Sequence, residues 1–429
     1  RCLSDWSSDV CSSDLMAPLA LFKAGAGTAV LGASNTFSGP VQVSSGDLLL
    51  RHPLALQNAT LGTGGVRFDP SVVAHAFTVG ALTNTVTMAL EDTDGNPVTL
   101  SAFTNVPAAV FAGGLTGSGT LVKEGDGVLT LAGDNAHTGA TVVRTGVVNV
   151  TTSNNGLGLG NVVNNGTVNL TRGNVTYSAL TNSISGAGTF NVTLASGTGT
   201  AIANGEASGF TGIWNVGVTA TGGKLNLSGA DTATATVNVL SNGTVYVTGP
   251  VTKQATAVLY GGKPGEQNGQ LRVDAGADWA GPVFLAGDHT DPGFGLVGSG
   301  SSTGTISGLI ADFPGSGLHA LHKQGSRQLN ITHPANTYQG PTWLRSGGTG
   351  VTSLKNIGQP SSLGNPSAEN AVIKIGTSTT SSRLAYLGTG DTTDRPLDMA
   401  GTTGYAYIEQ SGSGLLKFTA PAVLSSGSG

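Results

Sequence analysis

Cysteine is almost missing from this 429-residue chain: there are two, Cys2 and Cys11, and both fall in the first fifteen residues. That stretch, Arg1 to Leu15, reads as translated sequencing adapter, most clearly over Asp5 to Leu15, and is set aside before any fold is argued. A disulfide-stapled scaffold is thereby excluded, and a cysteine-free chain suits passage across a membrane in the unfolded state. Charge is scarce as well, at 10% of residues against about 25% in ordinary domains. With a formal net charge of −5 there is no basic footprint, so no nucleic-acid partner is expected. No apolar run reaches the length of about 18 residues that a membrane helix needs. Aromatics make up only 5%.

What is abundant is glycine, 68 residues, together with Val, Leu, Ile and Thr alternating with small polar side chains. Disorder is a poor reading, because it goes with low hydrophobicity and high net charge, whereas apolar residues here reach 38%. Gly146-Val-Val-Asn-Val150, Gly166-Thr-Val-Asn-Leu170, Gly223-Lys-Leu-Asn-Leu227 and Gly243-Thr-Val-Tyr-Val247 share one pattern, a glycine followed by apolar residues two apart. Period-two alternation puts Val168 and Leu170 on one strand face and Asn169 on the other. The glycine is read as supplying a left-handed corner. Asn165-Gly166 and Asn242-Gly243 would ordinarily signal antiparallel hairpins, but Asn and Gly also serve the corners of a parallel coil.

Long-range repetition decides between these. Leu121-Val-Lys-Glu-Gly-Asp-Gly-Val-Leu-Thr-Leu-Ala-Gly-Asp-Asn135, continuing through Gly139 to Gly146-Val-Val-Asn-Val150, is the fullest copy. An earlier copy runs from Phe22-Lys23 to Gly46, and a later one from Lys323-Gln-Gly325 to Gly347; Lys23, Lys123 and Lys323 stand 100 and 200 residues apart. A worn copy appears at Ser208 to Leu227, and another begins near Gly412. Units that cannot each close a core are best served by stacking. The chain is therefore expected to be all-β, a parallel β-helix with coils of roughly 20 residues at about 4.8 Å spacing, occupying 16–429 and truncated at both ends. Its core would be lined by Leu48, Leu50, Leu129, Leu131, Val143, Val148, Val150, Leu329 and Ile331.

The pattern carried by Leu121, Lys123, Gly125, Gly127, Leu129, Leu131, Gly133, Asn135, Gly139, Thr141, Val143 and Gly146 resembles the autotransporter-associated β-strand repeat. The first copy departs from it with Val41 in place of Thr141, and the third with Arg327 in place of Gly127. The resemblance implies a right-handed β-helix of the passenger type, secreted to the extracellular or outer-membrane surface and serving as scaffold or stalk. It implies no particular reaction, so no catalytic, metal or cofactor residue is carried over.

Other features were weighed for chemistry. His319 and His322 are too few for a closed zinc site and, three apart on a strand, would point to opposite faces. Gly300-Ser-Ser302-Thr-Gly304 has the form of a hydrolase nucleophile elbow but lacks the strand-to-helix context, and reads as a turn. Glu91-Asp-Thr-Asp-Gly-Asn96 resembles a calcium loop without the twelfth-position glutamate. A polysaccharide-active β-helix, lyase or glycoside hydrolase, is the rival reading; its candidate carboxylates are Asp288, Asp291, Asp391 and Asp394, the first two bracketing His289. Trp343, flanked by Thr342 and Leu344, is expected to face outward; Phe37, His137 and Tyr338 share one motif position, either at coil corners or on the surface. The function expected is a non-catalytic, monomeric surface scaffold without cofactor, adhesive toward glycans or other surface polymers.

Overall fold

The computed structural model describes residues 19–424, apart from 63, 104–105, 152–154, 173–176, 195–199, 204–208, 219–222, 228, 230–233, 263–267, 289–295 and 400–402. The adapter-like stretch 1–15, His289 and Asp291 thus lie outside the described residues. Within them, every ladder between strands is parallel. The only helical pieces among them are two three-residue 3-10 turns, Val73–His75 and Ala368–Asn370. The chain is a β-solenoid of about 16 turns, dividing into two compact units, 1–173 with 179–190, and 174–178 with 191–429.

In the first unit most coils contribute two strands. One sheet runs through Leu21–Lys23, Pro40–Val43, Leu56–Leu61, Ala76–Leu82, Thr99–Ala102, Thr120–Lys123, Thr141–Val143 and Val162–Asn164. Lys123 therefore sits five strands beyond Lys23, so the 100-residue spacing of the sequence is five coils. A second sheet carries Ala108–Phe111, Val128–Leu131, Val147–Val150 and Thr167–Arg172. Leu129 lies against Val148, and Val148 against Val168, at steps of 19 and 20 residues. Period two does the rest: Leu129, Leu131, Val148 and Val150 are buried, while Thr130, Asn149 and Asn169 line the outer surface in a ladder in which the amide of Asn169 donates to Asn149 at 2.8 Å.

In the second unit a coil contributes three strands, as in Thr256–Leu259, Leu271–Val273 and Asp278–Trp279. The next coil brings Val283–Leu285 against the first of these, 26 residues on. The third repeat copy belongs to this unit. Its lysine strand, Leu321–Gln324, pairs with Thr342–Leu344, and its leucine strand, Leu329–Ile331, pairs with Gly347–Val351 and through it with Ser382–Tyr386 and Ala406–Gln410.

The two Asn-Gly pairs are corners. Val162–Asn164 and Thr167–Arg172, on either side of Asn165-Gly166, pair with neighbouring coils and with different sheets. The reading of the glycines needs correcting in part. Gly46, Gly146 and Gly347 do take left-handed backbone, with φ of 70°, 72° and 65°. Gly166, Gly223 and Gly243 do not; there a Cβ would collide with the coil below, at Gly243 within 2.2 Å of the carbonyl oxygen of Val216.

Candidate functional site

The residues that define the repeat turn inward. Lys123 is the last residue of its strand and is buried; its Nζ donates to the carbonyls of Glu124 at 2.8 Å, Gly125 at 2.6 Å and, one coil on, Thr145 at 3.3 Å. Lys323 repeats this with Gly325, Arg327 and, one coil on, Ser346, at 3.1, 2.8 and 2.6 Å. Lys23 does the same with Ala24, Gly25 and Ser45. Each ammonium clasps its own glycine corner to the next. Burial pushes the ammonium of Lys123 down to about 8, against the pull of Asp126 and Glu124. Burial, assisted by Arg383, takes Lys323 to about 7.

The motif asparagine spans three coils. Asn135 Oδ1 accepts the amide of Leu115 at 2.8 Å, and its Nδ2 donates to the carbonyl of Gly156 at 2.7 Å. Asn336 serves Ile310 and Ser362 in the same way, at 2.7 and 2.8 Å. Two residues on, Phe37, His137 and Tyr338 are all buried, so this position is interior and offers nothing to a surface ligand. Its partner four residues later changes with it. Phe37 goes with Val41, His137 Nε2 bonds Thr141 Oγ1 at 3.0 Å, and the Tyr338 hydroxyl bonds Thr342 Oγ1 at 2.9 Å. Thr141 donates onward to the Leu157 carbonyl at 2.8 Å, so its oxygen accepts from His137, which must carry its proton on Nε2. Burial lowers His137 to about 4, consistent with that neutral ring.

The candidates for chemistry are dispersed. His319 Nε2 donates to the Ser316 carbonyl at 3.0 Å and its Nδ1 lies 3.4 Å from Asp288, whereas His322 faces outward, edge-on to Trp343 at 5.6 Å. In the Gly300–Gly304 turn, Ser302 Oγ accepts the amide of Ala275, and Ser301 and the Gly300 amide bind the Asp274 carboxylate; no helix follows. Asp92 caps its own loop, accepting the amides of Asp94 and Asn96 at 2.9 Å each, while Glu91 holds Ser118. Asp391 is held by Lys355, the Leu354 amide and the Tyr386 hydroxyl; burial alone would raise it, but these donors leave its carboxyl below the usual range. Asp394 accepts the amide of Ile357 instead. Among the described residues no three His, Cys, Asp or Glu converge as a metal site would require. Trp343 does face outward, with Arg345 4.1 Å and Lys374 5.4 Å from its ring centre.

A different place is hollow. On the outer face of the second unit, a cavity of about 710 Å³ lies over the corner Ser326-Arg327-Gln328 and the starts of the strands Gly347–Val351, Ser382–Tyr386 and Ala406–Gln410. Its floor is Gly347-Gly348, and its walls include Arg327, Gln328, Arg383, Tyr407 and Glu409. Arg383 lies across the floor, donating to Glu409 Oε2 at 2.7 Å on one side and Gln328 Oε1 at 2.6 Å on the other. Gln328 in turn donates to Asn330 at 2.8 Å. Tyr407 is part of the lining, and the ring of Tyr405 lies 6.1 Å from its own. Sequence reasoning missed this groove, although Gly348, at an outward position, was a legible signal.

Three stretches, 21–50, 121–150 and 321–349, match the passenger-associated-transport-repeat model, and they are the three copies whose lysines clasp the coils. The Adhesin BmaC autotransporter of Brucella suis biovar 1 (strain 1330) is 27% identical over 432 residues, a match covering 90% of this chain and 12% of that protein. No solved structure matches the chain. A stack of parallel coils bearing these repeats is similar to an autotransporter passenger-type β-helix. In particular, the chain carries three passenger-associated-transport repeats, and this likeness supports a place at the extracellular or outer-membrane surface. No helix among the described residues is long and apolar enough to cross a membrane.

Proposed function

We propose that this region is a non-catalytic, monomeric scaffold that displays an adhesive surface, with glycans or related surface polymers as partners. The observation that carries the reading is the commitment of its reactive-looking groups. Asp92, Asp274, Asp391 and Asp394 each hold backbone amides of a corner or loop, which supports a structural use of these carboxylates over the bond-flanking pair that glycoside hydrolysis normally uses. Likeness to a protein named as an adhesin supports the adhesive part. Long stretches of outward Thr and Asn, already hydrogen-bonded along the stack, suit a stalk that presents selected patches rather than one continuous sticky face.

The test is to incubate the purified chain with a panel of acidic and neutral polysaccharides, following both chain cleavage and retention on immobilised polymer. Retention without new reducing ends or unsaturated products is expected, with a monomer mass in light scattering. Sustained product release would overturn the scaffold reading in favour of a polysaccharide-active enzyme.

A further inference from the structure

The third copy keeps most inward residues of the second, exchanging His137 and Val148 for the equally buried Tyr338 and Thr349, and it replaces the outward ones. Leu129 and Leu131 become Leu329 and Ile331, Thr141 remains as Thr342, and Asn135 as Asn336. Outside, Val147 and Asn149 become Gly348 and Gly350, and Gly127 at the corner becomes Arg327. Losing the outward side chain at Gly348 leaves the room in which Arg383 and Gln328 lie against the strand, and Gly347 and Gly348 line the cavity. Outward change with the coil pairing kept is what a surface remodelled for contact looks like.

We infer that this groove is a binding site for an acidic glycan, a deepening that rests on the adhesive reading above. Three features specify the ligand. The polar walls are planar groups held in place before any ligand arrives: the Arg383 guanidinium is fixed between Glu409 and Gln328, and Gln328 is fixed by Asn330. Fixed planar donors and acceptors suit vicinal hydroxyls, and little rotamer entropy is lost on binding. Second, Tyr407 in the lining, with Tyr405 beside it, supplies flat, amphipathic surface of the kind that stacks on the apolar face of a sugar; the two are 52% and 67% exposed. Third, the charge is unbalanced. Arg383 is neutralised by Glu409, whereas Arg327 is exposed, and among the described residues its guanidinium has no ion-pair partner. In a chain of net charge −5, this groove carries an excess of one guanidinium, which favours a carboxylate-bearing sugar over a neutral one.

Calorimetric titration of the chain with a hyaluronan hexasaccharide, and with chitohexaose as the uncharged comparison, tests this. Binding of the acidic oligosaccharide is expected to be at least about tenfold tighter and to weaken with added salt, as charge-mediated contacts do. Arg327→Ala, a change at an exposed corner, is expected to erase that preference. Gly348→Val, which restores the side chain of the second copy, is expected to abolish binding by filling the floor, where a Cβ already meets Arg383 Nη2 at 3.1 Å. Circular dichroism melts matching those of the parent certify that both variants fold. Binding that persists unchanged in both overturns the groove while leaving an adhesive surface elsewhere intact; equal affinity for the two hexasaccharides overturns the acidic specificity. Absence of binding to any oligosaccharide, with polymer retention also absent, overturns both readings together.

Discussion

The second repeat copy, in the first unit, and the third, in the second unit, do the same work inside and different work outside. Lys123 and Lys323 each tie two corners through three carbonyls, and Asn135 and Asn336 each join three coils. Yet Val147 and Asn149 stand on the outer face of one strand, whereas Gly348 and Gly350 of the other are overlaid by Arg383, Gln328 and Asn330 from neighbouring coils. The difference teaches that the repeat is a code for the interior. Its fixed letters are those that meet backbone groups of the neighbouring coils, and letters that meet water are free to change.

The sharpest way to break the equivalence is to remove the asparagines. Asn135→Ala and Asn336→Ala each strand one buried amide and one buried carbonyl, and about 2–5 kcal/mol should be lost in both cases. Urea unfolding of the two variants should agree within about 1 kcal/mol; a loss in one copy alone would end the claim of a shared role.

Acid should separate the copies. In the folded chain His137 titrates at about 4 instead of 6.5, so between those values the unfolded chain binds more protons than the folded one and stability falls as pH drops. Up to about 3 kcal/mol is at stake around the second copy. In the third copy the equivalent Tyr338 is pushed up to about 12 by burial and is silent in that window. Hydrogen exchange at Leu129 and Leu131 should quicken relative to Leu329 and Ile331 between pH 6.5 and 4, beyond the intrinsic pH dependence, and His137→Phe should remove the difference.

Alkali should act on the other side. Lys323 stands at about 7 when folded, against 10.5 for a free lysine, so stability attributable to it rises as pH climbs from about 7 towards 10.5, by at most about 1.4 kcal/mol per pH unit. For Lys123 the rise begins nearer 8 and is weaker, because Asp126 and Glu124 favour its charged form. Denaturation midpoints measured from pH 7 to 10 in Lys323→Met and Lys123→Met should lose these slopes in that order of size. The smallest effect expected is at the aromatic position: Tyr338→Phe should cost about 1 kcal/mol by orphaning Thr342, with recovery on adding Thr342→Val. Thr141→Val, made with His137→Phe, should recover less, since it also leaves the Leu157 carbonyl without its donor.

The architecture was legible because burial follows period two wherever strands are short and regular. Leu48, Leu50, Leu129, Leu131, Val143, Val148, Val150, Leu329 and Ile331 are all at most 1% exposed. Trp343 was placed outward by the same alternation. What alternation does not encode is which polar residues go inside. Lys123 and Asn135 mark the repeat, but their burial depends on carbonyls from the next coil, a contact between residues about 20 positions apart. The interior place of Phe37, His137 and Tyr338 had a trace in the sequence, since the residue four later turns from valine to threonine when the ring becomes polar. The groove left only an absence, a glycine where a side chain was due, and an absence gains meaning once neighbouring strands are set beside it.

The lysine clasps have a bearing on where such a molecule works. Their ammonium groups are gripped by peptide oxygens at contact distance, deep enough that mobile ions do not intervene, whereas paired surface charges weaken as electrolyte rises. Coils joined this way keep their cohesion when the surrounding medium changes from dilute to saline, while an arginine on their outer wall remains fully responsive to that change.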